Sequence, residues 1–234
     1  MVAVTLSRVG RVVLDLLYPP RCSLCGRAGA FVCEVCLAKL PRALPPRCAR
    51  CWLPTTDGAA CGRCRVQPLT LAAIRSPFRY EADVRRLVQA FKFGGQSALA
   101  EAMAGQIASI VRETGLDAEV IVPVPLSTGR QRQRGYNQAG LLAAAIGKSL
   151  ELPATHALRR TRSGQAQARS ASAAERLRNV EGAFAVTGQG AIAGRRVMVV
   201  DDVATTGATL DACARALLKG GAAAVEAVTF ARED

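Results

Sequence analysis

The sequence predicts an α/β fold, in which a mostly parallel sheet carries flanking helices, preceded by a small cysteine-rich module. Apolar runs without alternation, such as residues 197–200, are typical of buried parallel strands. Amphipathic segments alternate with such runs from residue 70 onward, which is the pattern of an α/β domain. Eight of the nine cysteines lie between Cys22 and Cys64, which indicates a separate module. We therefore expect a cysteine module over residues 1–68 and the α/β domain over residues 70–234.

Composition and charge limit the classes of protein that are possible. Half of the residues are hydrophobic, so the chain can bury a sizeable core and is not a disordered protein. The net charge is +13, of which the first 70 residues carry +7. This excess favours anionic partners, either the phosphates of a small substrate or a nucleic acid backbone.

The amino-terminal segment predicts a location as well as a helix. Apolar residues recur at steps of three and four over residues 4–17, which predicts a short amphipathic helix that packs on the protein or, alternatively, lies on a membrane surface. Arg8 and Arg11 interrupt the apolar stretch, so it is not a secretory signal, and no uncharged run is long enough to span a bilayer. A cytoplasmic protein is expected.

The cysteines form four CxxC pairs. In the reducing cytosol such thiols are more often metal ligands than disulfides, and four thiolates complete a tetrahedral zinc shell. Two structural zinc sites are therefore expected, with redox-active pairs as the alternative. The simplest pairing is sequential, although an interleaved one uses the same ligands: Cys22, Cys25, Cys33 and Cys36 on one ion, and Cys48, Cys51, Cys61 and Cys64 on the other.

The elements of the α/β domain follow from hydrophobic periodicity and from turn residues. Helices are predicted at 82–91, 99–111, 139–150 and 210–218, and strands at 71–78, 119–125, 182–186, 197–202 and 224–230. A turn region is expected at 188–194. Residues 158–179 contain six arginines and hardly a core-forming side chain, which suggests a loop that closes over a substrate.

Arginines follow the strand predicted at 119–125. Arg130, Arg132 and Arg134 occupy alternating positions shortly after its end. Guanidinium groups at such a place can bind a further anionic group, such as a pyrophosphate. The alternative is that the three arginines are solvated surface charges without a ligand.

The strand at 197–202 ends in two carboxylates and a loop of small residues. Backbone N–H groups of such a loop, threonine hydroxyls and the start of a helix can bind a phosphate, and the candidates are Ala204, Thr205, Thr206, Gly207, Ala208 and Thr209. Asp201 and Asp202 would repel that phosphate but suit the two hydroxyls of a ribose. The stretch therefore predicts a ribose 5-phosphate site, and it is not a Walker A loop.

This stretch resembles the 5-phosphoribosyl-1-pyrophosphate (PRPP) motif of type I phosphoribosyltransferases, and the whole chain resembles the ComF/GntX family of competence-associated proteins. The second resemblance rests on the CxxC pairs and on Phe91-Lys92-Phe93, Val122 to Leu126, Arg134 to Gln138, Glu175-Arg176, Asn179-Val180, Gly182 to Phe184 and the PRPP run. One departure is Ser170-Ala171-Ser172 in place of a Gly-Leu-Ser, with Gln165 and Gln167 upstream.

The resemblance implies a type I phosphoribosyltransferase-like fold that binds PRPP with Mg²⁺. Asp201 and Asp202 would hold the ribose hydroxyls and residues 204–209 the 5-phosphate. It also implies, for relatives, the uptake or processing of single-stranded DNA, together with other DNA-uptake proteins.

Two functions of different classes follow. The first is a phosphoribosyltransferase that displaces pyrophosphate from PRPP, in which Mg²⁺ on the ligand's oxygens, Arg130 or Arg134, and Arg169 or Arg176 from the closing loop neutralise the leaving group. The second is a DNA-processing or regulatory adaptor that binds PRPP or nucleic acid without transferase activity. The one histidine, His156, is expected to be a surface or packing residue.

Overall fold

The computed structural model describes residues 19–94, 97–161 and 182–234 of the 234-residue chain. The chain divides into two compact units, residues 1–40 and residues 41–234. The helix predicted at 4–17 and most of the segment at 158–179 lie outside the described residues. The described part of the chain contains no helix of the length and apolar character needed to cross a membrane.

The smaller unit holds the first two CxxC pairs. An antiparallel bridge joins Arg21 to Ala28, and helix α1 follows at Glu34–Ala38. None of the residues of α1 is buried, so the helix adds no apolar core to the unit. The short segment therefore fits a fold that depends on its cysteines.

The larger unit contains the other described elements. Its helices are α2 (Gly62–Val66), α3 (Ala82–Phe93), α4 (Leu99–Thr114), α5 (Thr128–Arg134), α6 (Gln138–Leu150), α7 (Gln189–Ile192) and α8 (Ala208–Lys219). Its strands are β1 (Ile74–Arg75), β2 (Phe78–Arg79), β3 (Val120–Pro123), β4 (Leu158–Arg160), β5 (Phe184–Val186), β6 (Arg196–Ala204) and β7 (Ala224–Arg232).

The central sheet is parallel, as predicted. Its order is β1-β7-β6-β3, with β2 also paired to β7, and all four strand pairs are parallel. Val197 to Val200 of β6 are at most 1% exposed, because neighbouring strands and helices cover both faces. The carboxyl ends of β3 and β6 therefore meet at one edge, which is where ligands bind in open α/β sheets.

The structure corrects several predicted elements. The single strand at 71–78 is broken into β1 and β2 around buried Ser76 and Pro77, and proline has no N–H to donate to a ladder. The arginine run forms helix α5, which has no apolar stripe to reveal it, and Ser127 caps it by accepting from the N–H of Arg130 at 3.4 Å. The turn region at 188–194 contains the short helix α7. Residues 158–160 pair with β5 as an antiparallel hairpin instead of starting the loop.

The second cysteine group belongs to the larger unit. The buried Arg47 side chain forms a two-point ion pair with Asp234, with N–O distances of 2.6 and 2.8 Å. Trp52 is 5% exposed, and its indole N–H donates to the carbonyl of Ser76 at 2.8 Å. These contacts join residues 41–68 to the sheet, and the predicted domain boundary at residues 68–70 stays a prediction.

Candidate functional site

A cavity of about 250 Å³ opens at the carboxyl ends of β3 and β6. Six of the residues predicted from the sequence line it: Arg130, Arg134, Asp201, Asp202, Thr205 and Thr209. The structure thus brings the acid pair, part of the phosphate loop and two of the arginines together. Arg169 and Arg176 lie outside the described residues.

The two aspartates have different surroundings. Asp202 is 5% exposed, and one of its carboxylate oxygens lies 2.9 Å from the ammonium of Lys92. Asp201 accepts a hydrogen bond from the backbone N–H of Asp202 at 2.9 Å and has no ion pair with a described residue. Burial, together with the negative charge of Asp202, raises the pKa of Asp201 to about 7. The pair therefore contains one carboxylate with a fixed cation and one that titrates near neutral pH.

Lys92 was missed as a site residue. It lies in the Phe91-Lys92-Phe93 segment, which carried the family resemblance but suggested no role. A lysine near the end of an amphipathic helix is normally a solvated charge, and only the tertiary fold places it beside Asp202.

The loop after β6, residues 204–209 and here called the phosphate loop, has a tight backbone conformation of the kind that its small residues predict. Gly207 has a positive φ of 78°, and a Cβ there would lie 3.0 Å from Cδ1 of Ile74. Glycine is therefore required both by the backbone conformation and by the close approach of β1. Helix α8 begins at the next residue, Ala208, so its amino end faces the loop as predicted.

Arginines form the opposite side of the cavity. Arg134 donates to the side-chain oxygen of Gln138 at 3.1 Å, and its guanidinium lies 4.7 Å from the ring centroid of Phe93. Arg160 of β4 also lines the cavity, and burial, with the positive charge of Arg130, lowers the pKa of Arg160. Sequence reasoning placed Arg160 in the closing loop without a role. This concentration of positive charge suits a ligand with several negative charges.

The segment after α5 holds the end of α3 at the site. The Tyr136 hydroxyl donates to the carbonyl of Phe91, and the Gln138 amide donates to the carbonyl of Lys92 at 3.3 Å. Asn137 donates to the carbonyl of Val124 at 3.2 Å, next to the end of β3. These side chains therefore fix the position from which Lys92 reaches Asp202.

The eight cysteines form two groups of four. Within each group the four sulfur atoms lie within 4.8 Å of one another, and the groups are Cys22, Cys25, Cys33 and Cys36, and Cys48, Cys51, Cys61 and Cys64. The Sγ distances between Cys25 and Cys33, 3.7 Å, and between Cys51 and Cys61, 3.6 Å, are close to the roughly 3.8 Å edge of a tetrahedral zinc–thiolate shell. Both groups fit structural zinc, and the pairing is sequential, not interleaved.

Comparison with known proteins agrees with both parts of this description. The model of the double zinc ribbon domain matches residues 13–65, and that of the phosphoribosyl transferase domain matches residues 98–234. The chain is 33% identical to DNA utilization protein YhgH of Escherichia coli over 222 residues, which are 90% of this chain and 96% of that protein. The chain belongs to the ComF family.

Other ComF relatives carry names related to competence. Competence protein ComFC of Bacillus subtilis is 32% identical over 86% of this chain and 84% of its own length. Competence protein F of Haemophilus influenzae is 32% identical over 74% of this chain and 78% of its own. Among solved structures, adenine phosphoribosyltransferase from Thermoanaerobacter pseudethanolicus is 16% identical, covers 56% of this chain and 78% of its own, and has a TM-score of 0.35.

In this ComF protein a second cavity, of about 460 Å³, adjoins the first. The two share Pro125, Leu126, Asn137 and Arg160 as lining residues. The exposed His156 lines the second cavity and not the first, so the structure does not place it beside the acid pair. The second cavity is large enough for a further small molecule next to one bound at Asp201 and Asp202.

Proposed function

We propose that this protein binds PRPP in the cavity at the carboxyl ends of β3 and β6. Asp201 and Asp202 accept hydrogen bonds from the ribose hydroxyls, and residues 204–209 bind the 5-phosphate. Arg130, Arg134 and Arg160 carry positive charge toward the pyrophosphate. The observation that carries the proposal is that the acid pair, Thr205 and Thr209 of the loop at 204–209, and the three arginines line one cavity of about 250 Å³.

The carboxylates also bear on how Mg²⁺ would be held. Lys92 already pairs with Asp202, so the acid pair is not a free two-carboxylate metal site. Mg²⁺ would therefore be held mainly by the oxygens of PRPP, and Asp201, which forms no ion pair with a described residue, is the carboxylate that would contribute. When bound, it would neutralise part of the pyrophosphate charge.

The reaction that this arrangement supports is phosphoribosyl transfer to a nitrogen nucleophile. Departure of pyrophosphate leaves positive charge on the ribose ring, which the neighbouring carboxylates stabilise, while the arginines stabilise the leaving group. The adjoining cavity of about 460 Å³ has room for the acceptor. Arg169 and Arg176 are proposed to complete the arginine set from residues 162–181.

A link to DNA is proposed from the relatives. The names of the relatives, DNA utilization protein YhgH and the competence proteins, support a role in DNA utilization or competence. Our proposal is that this chain acts in the cytoplasm in the uptake or processing of single-stranded DNA, together with other DNA-uptake proteins. The net charge of +13 favours such a partner. In the alternative function the chain is an adaptor that binds PRPP or nucleic acid without transferase activity.

The PRPP proposal is tested by calorimetric titration with Mg²⁺ and PRPP. Asp201→Asn/Asp202→Asn keeps shape but replaces charge-assisted acceptors, each worth about 1.5 to 3 kcal/mol, so affinity should fall at least about tenfold. Glu101→Gln/Glu113→Gln, which removes two exposed carboxylates on α4, is the control for charge and should bind as the wild type does. Equal affinity of wild type and double variant would contradict the ribose role.

Two further measurements complete this test. Thermal melts without ligand should show that the double variant folds with a melting temperature close to that of the wild type, because relief of the repulsion between the two carboxylates offsets the loss of the ion pair between Lys92 and Asp202. A collapsed melting temperature would mean that the carboxylates are structural. PRPP consumption with a panel of nitrogen bases then separates the transferase from the adaptor.

A further inference from the structure

Arg232 is a fully buried arginine that joins the second cysteine group to the phosphate loop. It is 0% exposed, and its Nε donates to the carbonyl of Cys51 at 2.8 Å. Its Nη1 donates to the carbonyls of Ala204, at 3.0 Å, and of Thr205. Burying a guanidinium is costly, so it persists only where several acceptors hold it. One side chain thus binds both a metal-ligand residue and the start of the loop.

Arg63 makes a second connection of the same kind. It lies in α2 between the metal-ligand residues Cys61 and Cys64, and its Nη2 donates to the carbonyl of Thr206. The carbonyls of the successive loop residues 204, 205 and 206 therefore accept hydrogen bonds from two arginines. Arg63 lies within the second cysteine group, and Arg232 of β7 is hydrogen-bonded to it through Cys51.

Holding these carbonyls also fixes the direction of the loop N–H groups. In a planar trans peptide the C=O of one residue and the N–H of the next point in opposite directions. The N–H groups of Thr205, Thr206 and Gly207 therefore point away from the two guanidinium groups. Among the described residues none of these three N–H groups has a hydrogen-bond acceptor, so they are available to an anion.

We propose that the second cysteine group, through Arg63 and Arg232, positions the phosphate loop, so that its metal ion controls affinity for the 5-phosphate. A zinc ion with four thiolates carries a net negative charge, which suits the adjacent buried arginine. Cys51 and Cys64 pack against the core of the α/β domain, but the cysteine-rich segment has few apolar side chains of its own, so without the ion α2 and Arg63 are held less firmly. The first cysteine group, in the unit of residues 1–40, is not expected to have this effect.

This inference rests on the proposed ribose 5-phosphate site, and its test separates the two. Arg63→Gln removes one arm of the connection, and Arg65→Gln, exposed on the same helix, removes an equal charge as the control. Hydrogen exchange of residues 203–211 is measured in the full chain without ligand. Exchange should be faster in Arg63→Gln than in Arg65→Gln, and equal exchange would overturn the inference.

Titration with ribose 5-phosphate measures the consequence for binding. Arg63→Gln should weaken it by about tenfold, the effect of one charged hydrogen bond, and Arg65→Gln should not. Cys64→Ser should weaken it more than Cys36→Ser, with metal content measured for both, and equal losses would contradict the inference. If the wild type binds no ribose 5-phosphate, the proposed function fails and the exchange comparison alone decides the role of Arg63.

Discussion

Asp201 and Asp202 are neighbours in sequence, yet the fold gives them separate electrostatic roles. Asp202 forms an ion pair with Lys92 at 2.9 Å, which supplies the partner that a buried carboxylate needs. Asp201 accepts a backbone N–H and lies near the charges of Lys92 and Arg134, but burial next to a second carboxylate outweighs them and raises its pKa. A ribose hydroxyl would supply a further donor to Asp201, so two adjacent carboxylates suit the two hydroxyls of a diol.

This difference predicts a pH dependence of stability. With a pKa of about 7 in the folded chain, above its value in the unfolded chain, Asp201 keeps its proton longer when folded. Between about pH 4 and pH 7 the folded state binds more protons, so the contribution of this group to stability falls as pH rises. Urea unfolding at pH 5 and pH 8 should show this loss in the wild type. Asp201→Asn should show a smaller loss, and an identical loss would contradict the assignment.

The same titration affects the ligand in the opposite sense. An ionised Asp201 accepts stronger hydrogen bonds, so PRPP affinity should rise between pH 6 and pH 8, by up to about tenfold. PRPP also titrates in this range. Asp201→Asn, which shares the titration of the ligand but not that of the carboxylate, is therefore the reference in the same calorimetric series. A rise of equal size in both proteins would show that Asp201 is not the titrating group.

At the level of elements, the parts that sequence predicted are those with a local signal. The long runs that form β6 and β7, and the apolar stripes of α3, α4, α6 and α8, have periodicities that do not depend on context. The loop at 204–209 was predictable because few residue types suit its backbone, as Gly207 shows. Helix α5 and the pairing of Arg160 in β4 have no such pattern, since tertiary contacts position them.

The cysteine pairs illustrate a partial prediction. Spacing gave the ligands, but only the fold gave the sequential pairing, because both arrangements use the same residues. Trp52 lies in the cysteine-rich segment, where an exposed ring could stack on nucleic acid, yet it is buried against Ser76 with the Arg75 guanidinium 4.6 Å from its ring centroid. The sequence alone therefore does not show whether an aromatic side chain is buried in the core or exposed for stacking.

Two complete shells predict two zinc ions per chain. Metal analysis of protein purified without added zinc should find two, and Cys36→Ser and Cys64→Ser should each reduce the content. Cys213→Ser is the matched control, because Cys213 is buried in α8 outside either group and should leave the content unchanged. A wild type with one ion, or with disulfides and no ion, would refute the assignment.

Over the whole molecule, the excess positive charge is divided between internal contacts and solvent. Among the described arginines of the second cysteine group, Arg47 pairs with Asp234, Arg63 binds the carbonyl of Thr206 and Arg50 donates to the carbonyl of Leu69 at 3.2 Å. Some of the positive charge of this group is therefore used in contacts with the α/β domain and is not available to an external anion. Cations that are exposed, such as Arg27, Lys39 and Arg65, are the ones available to an external anion.

These exposed cations predict weak binding of single-stranded DNA without sequence preference. With Trp52 buried, base stacking on the module is limited, so binding should depend on phosphate contacts and weaken steeply with salt.

To measure this dependence, the full chain is titrated with a labelled single strand at several salt concentrations. Replacing Arg27, Lys39 and Arg65 by Gln should reduce the slope of log K against log salt by about 0.7 for each phosphate that is no longer neutralised. The control replaces Lys148, Arg195 and Lys219 by Gln, which removes the same charge from the exposed or partly exposed surface of the α/β domain. If the control lowers the slope as much or more, Arg27, Lys39 and Arg65 are not the cations that contact DNA, because only local contacts distinguish two variants of equal net charge.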